Sequence, residues 1–181
     1  MAELRIRLLP DPILREKSKK VTIIDKSIKK LVADMLAYVH AAPGRAGLAA
    51  PQIGKSIRVC VIGIEDEDDK TKFTDYVLIN PEIVKTKGER ILQEGCLSIP
   101  GYIGEIKRAE SVTVKCRDLS GKEIRIRGKE LLAEALEHEI DHLNGILYID
   151  RLESPDKLHR IEDLEKEEEE SEDGRGTQKE N

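Results

Sequence analysis

The sequence predicts an α+β fold in which antiparallel β-sheets pack around one central helix. Residues 57–64 are rich in Val and Ile, which is typical of strands. Residues 111–116 and 124–127 alternate apolar and polar side chains on either side of a Ser120-Gly121 turn, the pattern of an antiparallel hairpin. The central helix is indicated by an apolar stripe that precedes Gly145, a good helix stop, and comprises Leu131, Leu132, Ala135, Leu136 and Leu143.

A second helix is predicted near the start of the chain. From Ile28 the apolar residues keep helical spacing up to Val39, and either Asp25 or Ser27 can cap the first turn. Pro43-Gly44 then ends the helix.

Further hairpins are expected in the middle of the chain. The charged segment 65–72 is expected to connect the first strand to a second one at residues 76–80. Short apolar pairs at 83–84 and 91–92 flank Gly88 and predict another hairpin around that glycine.

Composition narrows the class of protein. At 181 residues, with 39% hydrophobic and 37% charged side chains, the chain can form one globular domain with a substantial core. A net charge of −5 gives no reason to expect direct nucleic-acid binding. No apolar run approaches the length of a membrane span and the first residues lack a signal-peptide core, so we expect no membrane contact and a cytoplasmic protein. The three cysteines are expected to be thiols.

The central helix carries the motif His138-Glu139-x-x-His142. An offset of four residues is about 400° of helical rotation, so both imidazoles lie on one face and can share a metal ion. Glu139 is turned about 100° from His138, too far to be a ligand but close to water at an open coordination position. Only four histidines occur in the chain, which makes a chance surface pattern a weak alternative.

Cys96 is a candidate third ligand. It follows Gly95 just beyond a predicted strand, and a thiolate with two imidazoles would leave one tetrahedral position open for water. Cys60 and Cys116 lie inside predicted strands and are expected to be buried. Gln52 ends a stretch of small residues that fits two interpretations. It can be a close-packed turn, or it can be a strand edge at which the Gln52 side-chain amide contacts a substrate oxygen.

Three motifs resemble, in their residues and in their order along the chain, those of the peptide deformylases. These are metal-dependent enzymes that remove the formyl group from the N-terminal methionine of new proteins. The three motifs are the stretch from Arg45 to Gln52, the segment Glu94-Gly95-Cys96-Leu97-Ser98, and the helical His138-Glu139-x-x-His142 motif. The resemblance runs from about Leu8 to Leu152. It implies a fold in which antiparallel β-sheets surround a central metal-binding helix.

The resemblance assigns a role to each matching residue. It implies that Cys96, His138 and His142 bind one divalent metal, Fe(II) in many members, with Zn, Ni or Co as alternatives, and that Glu139 is the general base. Further implied groups are the Gln52 amide and Leu97 N–H as oxyanion donors, Gly47 and Gly95 beside the peptide backbone, and Ala46, Leu131 and Ala135 around the methionine side chain.

Two positions depart from the family pattern. Arg45 stands where the family usually has Gly, so either the loop is strained or the side chain points to solvent. Ile103 occupies the position at which some members place a substrate-binding Arg.

The domain division follows from composition. Residues 1–152 are predicted to be a single catalytic metallohydrolase domain, residues 153–170 an acidic C-terminal helix that starts at Ser154-Pro155, and residues 171–181 a disordered tail. The expected substrates are N-formylmethionyl nascent peptides. Some family members dock on the ribosome through a basic C-terminal helix, and the acidic one here argues against such docking.

Two other functions fit parts of the pattern. A zinc-dependent endopeptidase also uses His-Glu-x-x-His followed by Gly, but Tyr148 stands where that class requires its third His. A binding module stabilised by metal, without catalysis, would need a closed site with a fourth protein ligand, and none is evident in the sequence.

Overall fold

The computed structural model describes residues 4–66 and 68–166. All paired strands run antiparallel and form two sheets, one of order β1-β2-β3-β6-β7 and one of order β4-β5-β8. The elements are α1 (Lys26–His40), β1 (Gly47–Ala49), β2 (Val59–Glu65), β3 (Phe73–Lys87), β4 (Arg90–Cys96), β5 (Ile99–Arg108), β6 (Ser111–Arg117), β7 (Glu123–Lys129), α2 (Glu130–Leu143) and β8 (Leu158–Arg160).

The predicted central helix is α2, and it packs on β1, β2 and β7. Leu136 and Leu143 are fully buried in the core that α2 shares with the larger sheet. Gly145 follows the helix with φ of 73°, and a Cβ there would collide with the carbonyl oxygen of Arg15. The helix therefore ends where only glycine fits.

The first helix and two hairpins are where they were predicted. Asp25 caps α1 by accepting hydrogen bonds from the backbone N–H groups of Ser27 and Ile28. Segment 65–72 connects the paired strands β2 and β3, and β6 pairs with β7 around Gly121. No helix within the described ranges has the length and apolar character to cross a bilayer.

The hairpin predicted around Gly88 is wrong. β3 pairs on one side with β2 and on the other with β6, while β4 pairs with β5 in the smaller sheet. Gly88, with φ of 71°, redirects the chain from one sheet to the other. The half of β3 that precedes the glycine already pairs with β6, and β4 pairs along its length with β5 instead of folding back on β3.

The helix predicted over residues 153–170 is wrong in its first part. Pro155–Lys157 forms a single 3-10 turn, and β8 then pairs with β5 opposite residues 102–104. The outer edge of β5 offers unpaired backbone groups, and Leu158 packs on the apolar cluster beside it. Residues 158–160 therefore pair with β5 instead of forming a helix. A helical segment covers 161–166, and the predicted disordered tail lies outside the described residues.

We expect β8 to contribute to stability although it follows the predicted domain boundary. A chain that ends at residue 157 loses the three-residue pairing and the burial of Leu158, which together are worth about 2 kcal/mol, or a fall in Tm of about 4–8 °C. A chain that ends at residue 166 keeps β8 and should melt like the full chain. Equal melting temperatures of the two truncated proteins in calorimetry would contradict this contribution.

Candidate active site

Cys96, at the end of β4, meets the two histidines of α2. Cys96 Sγ lies 3.3 Å from His142 Nε2, which lies 3.2 Å from His138 Nε2, and the three possible ligand atoms lie within 4.8 Å of one another. Atoms bound about 2.0–2.3 Å from a common ion have separations of this order. One thiolate and two imidazoles therefore fit a single divalent metal with one position left open.

A buried carboxylate orients the first histidine. The Nδ1 atom of His138 hydrogen-bonds to Glu94, which turns Nε2 towards Cys96 and His142. Arg108, whose side chain is fully buried, donates to both oxygens of Glu94 at 2.9 and 2.7 Å and to Asp141 at 2.6 Å. Glu94 belongs to the motif that contains Cys96, but it was not among the residues predicted to bind the metal or the substrate. Its place two residues before Cys96 was the available signal.

The network holds its charges at neutral pH. Burial alone would raise the pKa of Glu94, but hydrogen bonds from His138 and Arg108 outweigh it and lower that pKa to about 2. Burial would likewise lower the pKa of Arg108, and its two carboxylate partners, Glu94 and Asp141, raise it instead. Glu94 is therefore ionised at every pH at which the protein is expected to work.

Glu139 is a buried carboxylate with one unpaired oxygen. Its side chain is 4% exposed, and Oε2 has no hydrogen-bond partner among the described residues. Burial raises its pKa to about 7 against the opposing charge of His138. A Cβ on Gly47 would lie 2.5 Å from Glu139 Oε1, so β1 approaches the carboxylate as only glycine allows.

The amide of Gln52 is held in one orientation. Its oxygen accepts a hydrogen bond from the backbone N–H of Ala49 at 2.9 Å, which turns the NH₂ group towards Ser98 Oγ at 3.3 Å and Cys96 Sγ at 3.7 Å. The backbone N–H of Ser98 also donates to Cys96 Sγ at 3.4 Å. Two hydrogen-bond donors therefore point at the sulfur of Cys96.

A cavity of about 420 Å³ opens beside these groups. It lies between outer strands of the two sheets, because among the described residues β1 pairs only with β2 and β4 only with β5. The sequence-predicted residues that line it are Ala46, Gly47, Gln52, Gly95, Cys96, Leu97, Leu131, Ala135, His138 and Glu139. The fold thus gathers these predicted residues around one space, beside His142.

Sequence reasoning did not place Glu134 or Arg45 in the cavity wall. Glu134 lies one helical turn before His138, a spacing that could have identified it, and pairs with Arg90 at 3.5 Å. Arg45 also lines the cavity. Its guanidinium lies 4.1 Å from the ring centre of Tyr38 and donates to the Tyr38 carbonyl oxygen at 2.8 Å.

The two expectations for Arg45 are therefore both wrong. Its backbone φ is not positive, and its side chain stacks on Tyr38 instead of extending into solvent. Ile103 lies opposite Gly95 on β5 and is not one of the cavity residues.

The fold and site together define a hydrolase with a metal centre on its central helix. A family model described as polypeptide deformylase matches residues 3–158. The peptide deformylase of Dehalococcoides mccartyi strain CBDB1 is 55% identical over 161 residues, which are 89% of this chain and 93% of that protein. The one from Thermomicrobium roseum is 46% identical over 87% of this chain and 90% of its own.

Solved structures agree with this match. A peptide deformylase from Legionella pneumophila superimposes with a TM-score of 0.77 at 48% identity, over 86% of this chain and 89% of that one. One from Synechococcus elongatus in complex with actinonin gives 0.76 at 38% identity, over 87% and 84%. The chain belongs to the polypeptide deformylase family, enzymes that remove the N-formyl group from nascent peptides. The predicted family, fold class and enzymatic function are confirmed.

We predict that Gly47→Ala lowers kcat by about 100-fold, because the added methyl pushes the Glu139 carboxylate out of place. Metal content and melting temperature should stay close to those of the wild type, as measured by elemental analysis and calorimetry. Gly95→Ala is the matched control for kcat, since a Cβ there meets nothing closer than 3.6 Å and can only narrow the path of the peptide, which raises KM. A Gly47→Ala enzyme with undiminished kcat would refute the close approach.

Proposed function

We propose that this chain hydrolyses the formyl amide of N-formylmethionyl peptides and releases formate. The observation that carries the proposal is the Cys96, His138 and His142 cluster beside the buried Glu139, in a cavity bounded by two open strand edges. Each group in this cavity has a chemical task in such a reaction.

We propose that Cys96, His138 and His142 hold one divalent metal ion. When bound, the metal acidifies water and polarises the formyl carbonyl group. A thiolate with two imidazoles suits Fe(II), which we propose as the native ion, and also Zn, Ni and Co. Elemental analysis of protein purified without air identifies the ion that is present.

Glu139 is proposed to move the proton. As a carboxylate it takes a proton from the attacking water, and as an acid it returns that proton to the departing amine nitrogen. Its unpaired oxygen and its pKa of about 7 support both halves of this task near neutral pH. Gly47 keeps the space beside the carboxylate free of a side chain.

Two donors are proposed for the oxyanion that develops on the formyl oxygen. The Gln52 NH₂ group is aimed at the cluster because the amide oxygen is held by Ala49. The backbone N–H of Leu97 directly follows Cys96 in the chain and is the second proposed donor. Preorganised donors of this kind stabilise the transition state more than the ground state.

The substrate peptide is proposed to bind as an added strand between β1 and β4. Gly47 and Gly95 lie on these two outer strands and line the cavity, so a peptide backbone can approach both edges closely. Ala46, Leu131 and Ala135 offer an apolar wall for the methionine side chain. Arg45 and Glu134 put charge at the same cavity, where residues that follow the methionine would lie.

The cellular setting follows from the substrate. Formylated nascent peptides are made by bacterial ribosomes in the cytoplasm, and we place the chain there. The acidic C-terminal segment, with Glu at positions 165 and 167–170, argues against docking on ribosomal RNA.

The first test separates the proton carrier from the metal ligands. Glu139→Ala should retain metal and lose at least about 10³-fold in kcat, whereas Cys96→Ala should lose the metal itself. Metal content and formate release are measured on the same preparations. A metal-free Glu139→Ala protein would show that the roles are assigned wrongly.

Glu137→Ala is the control for this experiment. It removes a carboxylate from the same helix, but Glu137 accepts a hydrogen bond from the Ala109 backbone N–H and does not line the cavity. We expect it to keep both metal and turnover.

The second test concerns the substrate. Formyl-Met-Ala-Ser should release formate, and acetyl-Met-Ala-Ser should react at least about 100-fold more slowly. The acetyl group carries a methyl where the formyl group has a hydrogen, and a closely packed site discriminates against even one added carbon. An unmodified longer peptide should remain intact. Internal cleavage of that peptide would favour an endopeptidase, and no reaction of the metal-loaded protein would favour a binding module.

A further inference from the structure

A second cavity, of about 730 Å³, lies on another face of α2. Ile140 and Asp141 of α2 line it together with Asn144 just after the helix, and none of these lines the active-site cavity. Its volume is within the range of small-ligand pockets, roughly 300–1,000 Å³. We call it the basic cavity, because the charges on its wall are mostly positive.

The charges of the basic cavity do not balance. Arg151 pairs with Asp141, and Lys115 pairs with Glu123. Within the described ranges the remaining charged residues of the wall form no ion pair, and they are Lys17, Lys20, Arg58, Arg117 and Glu82. Four cations thus share one concave surface with a single free carboxylate, in a chain whose net charge is −5. A concave wall with one sign of charge concentrates ions of the opposite sign.

Arg58 is the strongest sign of a missing anion. It is only 9% exposed, yet its guanidinium donates to neutral oxygens alone: Leu143 O at 3.1 Å, Asn144 Oδ1 at 2.9 Å and Pro81 O at 3.0 Å. Buried charges are normally paired with an opposite charge. Three neutral acceptors hold Arg58 in place, and no carboxylate in the described part of the chain lies within ion-pair distance of its guanidinium.

A buried hydroxyl adds a second unsatisfied group. Ser18 lines the basic cavity between Lys17 and Lys20 and is 5% exposed. Its Oγ atom has no hydrogen-bond partner among the residues that the structure describes. Polar groups in this situation usually bond to water or to a ligand.

We propose that the basic cavity binds a multiply charged phosphate anion, either free or as the phosphate of a small metabolite. Arg and Lys together are the usual partners of phosphate oxygens, Arg by paired hydrogen bonds and Lys as a point charge. The four unpaired cations line the same cavity, which suits a compact anion better than an extended nucleic-acid backbone. This site is separate from the deformylase chemistry.

Titration calorimetry of the metal-loaded enzyme with inorganic pyrophosphate tests the proposal. We expect binding at one site, weakened at least tenfold in the double variant Lys17→Glu/Lys20→Glu. The matched control is Lys26→Glu/Lys29→Glu, which makes the same charge change on exposed residues of α1 and should change the affinity less than twofold. Both variants should keep the wild-type melting temperature and the wild-type rate of formate release.

Four results would overturn the proposal. Absence of pyrophosphate binding by the wild type would do so directly. Binding that persists in the Lys17→Glu/Lys20→Glu variant would place the anion elsewhere, for example on the metal. Citrate binding as tightly as pyrophosphate would show that the cavity selects charge and not phosphate. Tighter binding of a short single-stranded RNA would point to a nucleic-acid surface.

Discussion

The buried guanidinium of Arg108 is the interaction on which the active site depends. It is the last residue of β5 and it joins Glu94 of β4 to Asp141 of α2, so one side chain connects the smaller sheet to the central helix. Glu94 in turn fixes the orientation of the His138 ring through its hydrogen bond to Nδ1. Loss of either partner of a buried ion pair leaves an uncompensated charge, which typically costs about 3–5 kcal/mol. The geometry of the metal ligands is therefore tied to the stability of the fold.

The two sheets explain why the site is open to a peptide. Each sheet ends in an outer strand beside α2, and the cavity lies between these strands. Because β1 has a glycine next to Glu139 and β4 has one next to Cys96, backbone and catalytic groups approach each other without intervening side chains. Unpaired strand edges are usually a liability in a soluble protein. Here they border the cavity in which we propose that the extended substrate binds.

The central helix contributes side chains to the walls of both cavities. Residues around His138 face the active-site cavity, while Asp141 and Asn144 line the basic cavity. Asp141 bonds to Arg108 inside the protein and to Arg151 at the wall of the basic cavity. A continuous set of charged hydrogen bonds thus runs from one cavity to the other.

The sequence by itself determined the features that depend on local spacing. The four-residue offset of His138 and His142 places both on one helical face, and the alternation around Gly121 specifies the β6–β7 hairpin, because both follow from backbone periods. Only the tertiary structure decided that β4 pairs with β5 and not with β3, and that residues 158–160 form the strand β8. Strand pairing of this kind depends on which sheet edges are available and not on the local propensity of the segment. The tertiary structure also decided that Arg45 stacks on Tyr38, a contact across seven residues for which no spacing rule exists.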